Sequence, residues 1–283
     1  MPNSEMCSMT FYNFLDLSVA LLYFLAALLY LSAIPGSSPK LKQASVLATA
    51  GGFLAHSVGL GMKIALNPLF TTTQAQFYIS LLAWIFILLY FLVWWRLKLQ
   101  FLALTASPLA LILFSSSLTF SSSSLNVPAE LSSLWFGLHI VTLFLSIGFL
   151  AMAFGAGLCY IYADRQIKKK ARIGPFRKNI PALTSFDRLN HWAVSIGFPL
   201  FTIGVLSGFM WAGFTWGSIF SWDPKELFSV LVWILFAFLF HQRLAMGWKG
   251  RKPALVAVWL FVFCICSLLI INLYLPTHHS FRL

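Results

Sequence analysis

Residues 133–163 read SLWFGLHIVTLFLSIGFLAMAFGAGLCYIYA, 31 positions without one Asp, Glu, Lys or Arg, and 164–170 follow as Asp-Arg-Gln-Ile-Lys-Lys-Lys. About 20 apolar residues suffice for a helix to cross a bilayer. This run exceeds that length and ends on a cationic stop, so it predicts a spanning helix that protrudes or tilts. Outward from it, seven more apolar runs lie at about 11–34, 43–64, 76–95, 101–119, 191–212, 225–242 and 254–275. Run one is too long, and lacks the basic leading region, for a cleaved signal peptide, so it counts as a helix. Over the 283 residues, 60% are apolar and 9% charged, against about 25% charged in soluble domains. Mean hydropathy is +0.85. The composition excludes a soluble globule, a disordered chain and a small disulfide scaffold, and the spans leave no room for a sizeable aqueous domain. The predicted fold is all-α, a polytopic transmembrane helix bundle of about eight spans.

The net charge of +12 would suggest nucleic acid in a soluble protein; here its distribution points to topology. Lys40 and Lys42 lie between runs one and two, Arg96 and Lys98 between three and four. Arg165, Lys168, Lys169, Lys170, Arg172, Arg177, Lys178 and Arg188 lie between five and six, and Arg243, Lys249, Arg251 and Lys252 between seven and eight. These are 16 of the 19 basic residues, all in alternate loops; Lys63, Lys225 and Arg282 fall on the other side. The positive-inside rule makes the 16 cytoplasmic and puts both termini on the non-cytoplasmic side. No role in nucleic-acid binding is expected, while the long basic loop 164–190 is placed to rest on anionic membrane lipid. Cys7, Cys159, Cys264 and Cys266 have no C-x-x-C spacing, which argues against a disulfide framework, a zinc site or a haem attachment site on this chain.

Ionisable groups inside a membrane are costly and usually functional, and this chain carries six histidines. Imidazole is a common axial ligand of haem iron, although a histidine buried against a carbonyl is the commoner case. His139 lies just inside the outer start of run five, and His278 and His279 follow run eight on the same face; these could share an iron. His241 is 15 residues past Glu226, about 22 Å along a helix, hence deep towards the cytoplasm. His56 is 14 residues past Lys42, about 21 Å from that edge and towards the outer leaflet. Those two should not share one iron. His191 has a depth like that of His241 but follows Asp187-Arg188-Leu189-Asn190, as a helix-entry residue does.

The outer loop between runs six and seven is the most distinctive stretch: Trp211, then Trp216-Gly217-Ser218-Ile219-Phe220-Ser221-Trp222-Asp223-Pro224-Lys225-Glu226. Asp223 predicts an N-cap, Pro224 suits the first helical position, and Glu226 stands three residues on, as in a capping box. Tryptophans also favour membrane interfaces. A plain helix start does not account for three tryptophans within 12 residues beside two outer histidine positions. Such a surface suits a flat apolar macrocycle packed against indole faces.

Trp216-Gly217-x-x-Phe220-x-Trp222-Asp223-Pro224-Lys225-Glu226 resembles the WWD motif of haem-handling proteins in cytochrome c-type biogenesis. With Gly197-Phe198-Pro199, Thr202-Ile203-Gly204, His241, Gly247-Trp248-Lys249-Gly250-Arg251 and His279-Ser280-Phe281, the chain from about His139 onward is similar to the CcsA (ResC) family. The resemblance implies a membrane haem-handling subunit of a holocytochrome c synthase (haem lyase), which moves haem to the outer face for thioether attachment to apocytochrome c. It implies non-covalently held haem b as the transferred group. His139 and His279 would be outer haem-iron ligands and His241 a transmembrane one, with Trp216, Gly217, Phe220, Trp222 and Asp223 forming the platform. His278, His191 and His56 are the alternative ligands. Phe220 departs from the family pattern, which has tryptophan there; packing survives and an indole N–H donor is lost.

On this reading residues 1–132 form an N-terminal four-helix membrane part and 133–283 the haem-handling part. The implied partners are a ResB/CcsB-like membrane subunit and an apocytochrome c carrying C-x-x-C-H, in a bacterial inner membrane or a thylakoid, with the WWD loop on the periplasmic or equivalent side. The alternative is a HemX-like, non-enzymatic haem-binding or regulatory membrane protein. A transporter fits less well, since half-helix pairs are not evident and Asp16 is the main acid within a span.

Overall fold

The computed structural model describes residues 2–36, 38–66, 75–97, 103–119, 135–168 and 182–274. They form eight α-helices: α1 (Pro2–Gly36), α2 (Pro39–Leu66), α3 (Ala75–Leu97), α4 (Ala103–Thr119), α5 (Trp135–Lys168), α6 (Leu183–Trp216), α7 (Pro224–Leu244) and α8 (Arg251–Tyr274). No strand occurs among the described residues. In hydrocarbon no water satisfies a backbone N–H or C=O, so an apolar run closes its hydrogen bonds within itself as a helix. Among the described residues, seven helices are long and apolar enough to span a membrane, and α4 contributes a shorter apolar stretch, Ala106–Leu118. The eight apolar runs each became a helix, and the all-α membrane architecture stands.

The helices fall into two compact units, α1–α4 and α5–α8. In the first, α1 packs on α2 and α4, and α3 on α4. Its interior holds a polar node: the Tyr23 hydroxyl lies 3.1 Å from His56 Nδ1 and the Ser80 hydroxyl 2.8 Å from His56 Nε2. Phe114 packs edge-on against the imidazole. Gly52 makes this possible, because a Cβ there would come within 2.8 Å of the Tyr23 ring. His56 thus joins α1, α2 and α3, and both ring nitrogens are engaged. Lys63 pairs with Asp16 at 3.2 Å.

In the second unit α5 packs along α6 and against α8, while α7 packs on α6 and α8. Helix association in lipid depends on close backbone approach and interhelical hydrogen bonds rather than on hydrophobic exclusion. The buried face of α5 accordingly includes Gly148, Ala151, Ala153, Gly155, Ala156 and Gly157. A Cβ on Gly157 would sit 2.7 Å from the Ala254 carbonyl oxygen of α8.

Three side chains fix the register of α5 against α6. His139 Nδ1 lies 2.6 Å from the Gly204 carbonyl oxygen, Ser146 Oγ donates to the Gly197 carbonyl at 2.7 Å, and Asn190 Nδ2 donates to the Ala153 carbonyl at 3.1 Å. Positions 139, 146 and 153 step by seven along α5, and 204, 197 and 190 step back by seven along α6. This is an antiparallel heptad register, with one polar tie about every 10 Å. A one-residue slip breaks all three ties together.

Candidate functional site

The outer histidine of α5 is built from this register. A carbonyl oxygen only accepts, so the Gly204 contact makes Nδ1 the protonated nitrogen of His139. Nε2 then carries the lone pair, the form in which imidazole ligates a metal, with its other N–H held by a second partner. No described residue hydrogen-bonds Nε2. The α6 backbone leaves room for the ring only because residue 208 is glycine: a Cβ there would lie 2.5 Å from both Cε1 and Nδ1 of His139. Gly204 is crowded similarly, its would-be Cβ lying 2.6 Å from Leu143 Cδ2.

Gly208→Ala is therefore expected to displace the imidazole and, if His139 ligates a metal, to lower the protein's activity about 10- to 100-fold, the range for losing an orienting contact of such a ligand. Gly137→Ala, on α5 with nothing within 4 Å of the new Cβ, is the matched control and should stay within about twofold. Measuring the activity of the two variants side by side checks this.

The aromatic loop folds back over the same end of α6. Gly217 ends the helix in the left-handed region at φ +71°, its N–H bonding to the Gly213 carbonyl at 3.1 Å. Phe220 then meets Phe209 edge-on, with centroids 5.8 Å apart. Phe209 neighbours Gly208, so the loop returns to the level of the His139 ring. Phe220 also packs edge-on against Trp222 at 5.2 Å. Trp222 is the one non-glycine described residue with positive φ, +60°, and it is 75% exposed.

The start of α7 is the capping box expected from sequence. The Asp223 carboxylate accepts from the Lys225 N–H at 2.8 Å, the Glu226 carboxylate accepts from the Asp223 N–H at 3.3 Å, and Pro224 opens the helix. Trp211 is buried against Phe136 of α5 rather than displayed. Trp216 stands in the last turn of α6; its side chain, and His278 and His279, lie outside the described residues.

At the far end of α6 the unit is locked by charge. Arg243, 3% exposed, donates from Nη1 to Asp187 Oδ1 at 2.8 Å and to the Trp248 carbonyl at 3.0 Å. Its Nη2 donates to the Asp187 carbonyl at 2.5 Å, and the Gly250 N–H donates to Asp187 Oδ1 at 2.8 Å. The sequence reading counted Arg243 among the cytoplasmic loop cations and missed this knot. Its only sequence signal was an acid, Asp187, near the start of run six.

His191, one turn beyond Asp187, and His241, half a turn before Arg243, lie at this end and are both exposed. From Asp187 to Gly208 is 21 residues, about 30 Å of helix, close to a hydrocarbon thickness. The structure therefore separates His139 and the aromatic loop from His241 and His191 by nearly the full length of α6, while His56 belongs to the other unit. Among the described residues no three of His, Cys, Asp and Glu converge as a metal cage. The site offers single imidazoles and aromatic faces, a donor set suited to axial ligation of a macrocycle's iron rather than to a bare ion.

A family model described as cytochrome C assembly protein matches residues 74–279. The cytochrome c biogenesis protein CcsA of Mesostigma viride is 32% identical over 224 residues, covering 71% of this chain and 73% of its own length. CcsA of Chlorella vulgaris is 32% identical over 232 residues, again 71% and 73%. CcsA of Chlamydomonas reinhardtii is 36% identical over 155 residues, 55% of this chain and 42% of that protein.

Proposed function

Because the chain belongs to the cytochrome c assembly protein family and is an integral membrane protein of cytochrome c biogenesis, we propose that it carries haem b to the outer face and presents it for thioether attachment to apocytochrome c. The observation that supports this most is the His139 imidazole, whose Nδ1 proton is committed to the Gly204 carbonyl at 2.6 Å and whose Nε2 is left to ligate iron. His279 supplies the opposite axial ligand. Trp222, Phe220 and Trp216 form the apolar bed, with Gly217 and Asp223 shaping the loop. His241 is the ligand at the cytoplasmic end, on an exposed face of α7 where a ResB/CcsB-like subunit completes the coordination.

Haem is cargo here, and its vinyl groups supply the carbon atoms of the new bonds. The chain's residues act by position: they hold the macrocycle, exclude water from one face and fix it relative to the C-x-x-C-H peptide. Such fixing can lower a barrier by several kcal/mol. Both termini and the WWD loop face the periplasm or thylakoid lumen, and the membrane is a bacterial inner membrane or a thylakoid.

The test is to express the chain with a ResB-like subunit in a strain lacking its own c-type synthase. Covalently haem-stained cytochromes and a purified complex with a bis-imidazole haem spectrum are the expected results. Haem uptake without rescue would favour the HemX-like, non-enzymatic role, and neither haem nor rescue would defeat the proposal.

A further inference from the structure

We infer that Glu226 is a positioning residue that holds the exposed Trp222 indole in place through the backbone on either side of it; the inference rests on the reading of Trp222 as part of the haem bed. An aromatic residue in the left-handed region is an outlier, and it persists only where its surroundings over-determine it. Here they do. Glu226 Oε2 accepts from the Ser221 N–H at 2.7 Å as well as from the Asp223 N–H at 3.3 Å. Glu226 Oε1 accepts from Ser221 Oγ at 2.9 Å.

The two amides flank Trp222. Both converge on one carboxylate oxygen with the residue between them turned into the left-handed region, as in the anion-binding nests formed by neighbouring N–H groups. A capping box needs only the Asp223 N–H. The two further bonds to Ser221 do nothing for the helix start and everything for the conformation of residue 222. Glu226 is itself buried, so the clamp is partly shielded from water, while the indole it aims is exposed and braced on one side by Phe220. A side chain fixed before its ligand arrives loses little freedom on binding.

The experiment compares wild type, Glu226→Ala, Glu226→Gln, Trp222→Ala and the Glu226→Ala/Trp222→Ala double variant as full chains expressed with the partner subunit. Two readouts are taken. In haem-free protein, hydrogen–deuterium exchange at the 221 and 223 amides should accelerate at least about tenfold in Glu226→Ala while the α7 amides beyond the first turn keep their protection. Glu226→Gln, which retains one acceptor oxygen, should fall between. Unchanged exchange at 221 and 223 overturns the clamp whether or not haem binds.

In haem-loaded protein, Glu226→Ala and Trp222→Ala should each lower haem retention five- to tenfold, with the double variant within about twofold of the weaker single one, because both act through one indole. Losses that multiply in the double variant mean that Glu226 serves the helix alone, and overturn the inference. A wild type that takes up no haem fails the functional reading instead, and leaves the exchange experiment to judge the clamp on its own.

Discussion

His139→Ala is expected to reduce cytochrome c maturation about 100-fold or more while leaving the protein folded and in the membrane. The two halves of that expectation come from different terms. Structurally, His139 contributes one of three ties between α5 and α6, and an interhelical hydrogen bond in a membrane averages only about 0.6 kcal/mol. Ser146 and Asn190 still set the register, so yield and thermal stability should change little. Functionally, the proposal makes Nε2 the donor to iron on this side, and no described neighbour offers a replacement. His139→Gly leaves room for free imidazole, and supplying it in the assay should restore part of the activity. Loss of function accompanied by loss of the protein from the membrane would mean that the imidazole is chiefly structural.

The largest effect on stability is expected at the other end of α6. Arg243→Met should destabilise the α5–α8 unit by about 2–3 kcal/mol, below the range of about 3–5 kcal/mol for breaking a fully buried ion pair, because the Asp187 side chain left behind is 21% exposed. Asp187 loses its counter-charge, the Trp248 carbonyl loses a donor, and the α7–α8 turn loses its anchor on α6. Pairing the change with Asp187→Asn should recover part of the loss, since the stranded charge is the costly element. Lys168→Ala is the contrast: its partner Asp164 lies one turn away at 2.8 Å with the lysine side chain 62% exposed, and such surface pairs are worth about 0.5 kcal/mol or less. Equilibrium unfolding in detergent micelles, followed through the far-ultraviolet helix signal, separates the two cases.

The helices were legible because a spanning helix is an additive property of about 20 neighbouring side chains, and the cap at Asp223–Glu226 because its partners are three residues apart. The fourth apolar run, 101–119, likewise became a helix, Ala103–Thr119. What pairing decides was not legible. Ser146 is unremarkable in a string of apolar residues, Asn190 read only as part of a polar helix entry and Gly197 and Gly204 only as parts of a motif; their pairing acquires meaning only when α5 and α6 run antiparallel with 139 opposite 204. His139 could be nominated from its type and depth, but which nitrogen is free depends on a carbonyl 65 residues away.

Arg243 looked like one more cytoplasmic cation because charge counting has no term for a half-buried acid on another helix. The backbone of Trp222 was hidden for a similar reason. A left-handed residue is usually flagged by glycine, and here it is enforced by a glutamate that already had a sufficient local explanation.

The claim on which the account stands is that His139 and a histidine following α8 grip one haem iron from opposite sides. Low-temperature electron paramagnetic resonance of the oxidised, haem-loaded complex measures this directly. A low-spin bis-imidazole signal in the wild type, converted to high spin in both His139→Gly and His279→Gly and restored by added imidazole, is the predicted result. A low-spin signal that survives unchanged in either variant would contradict it.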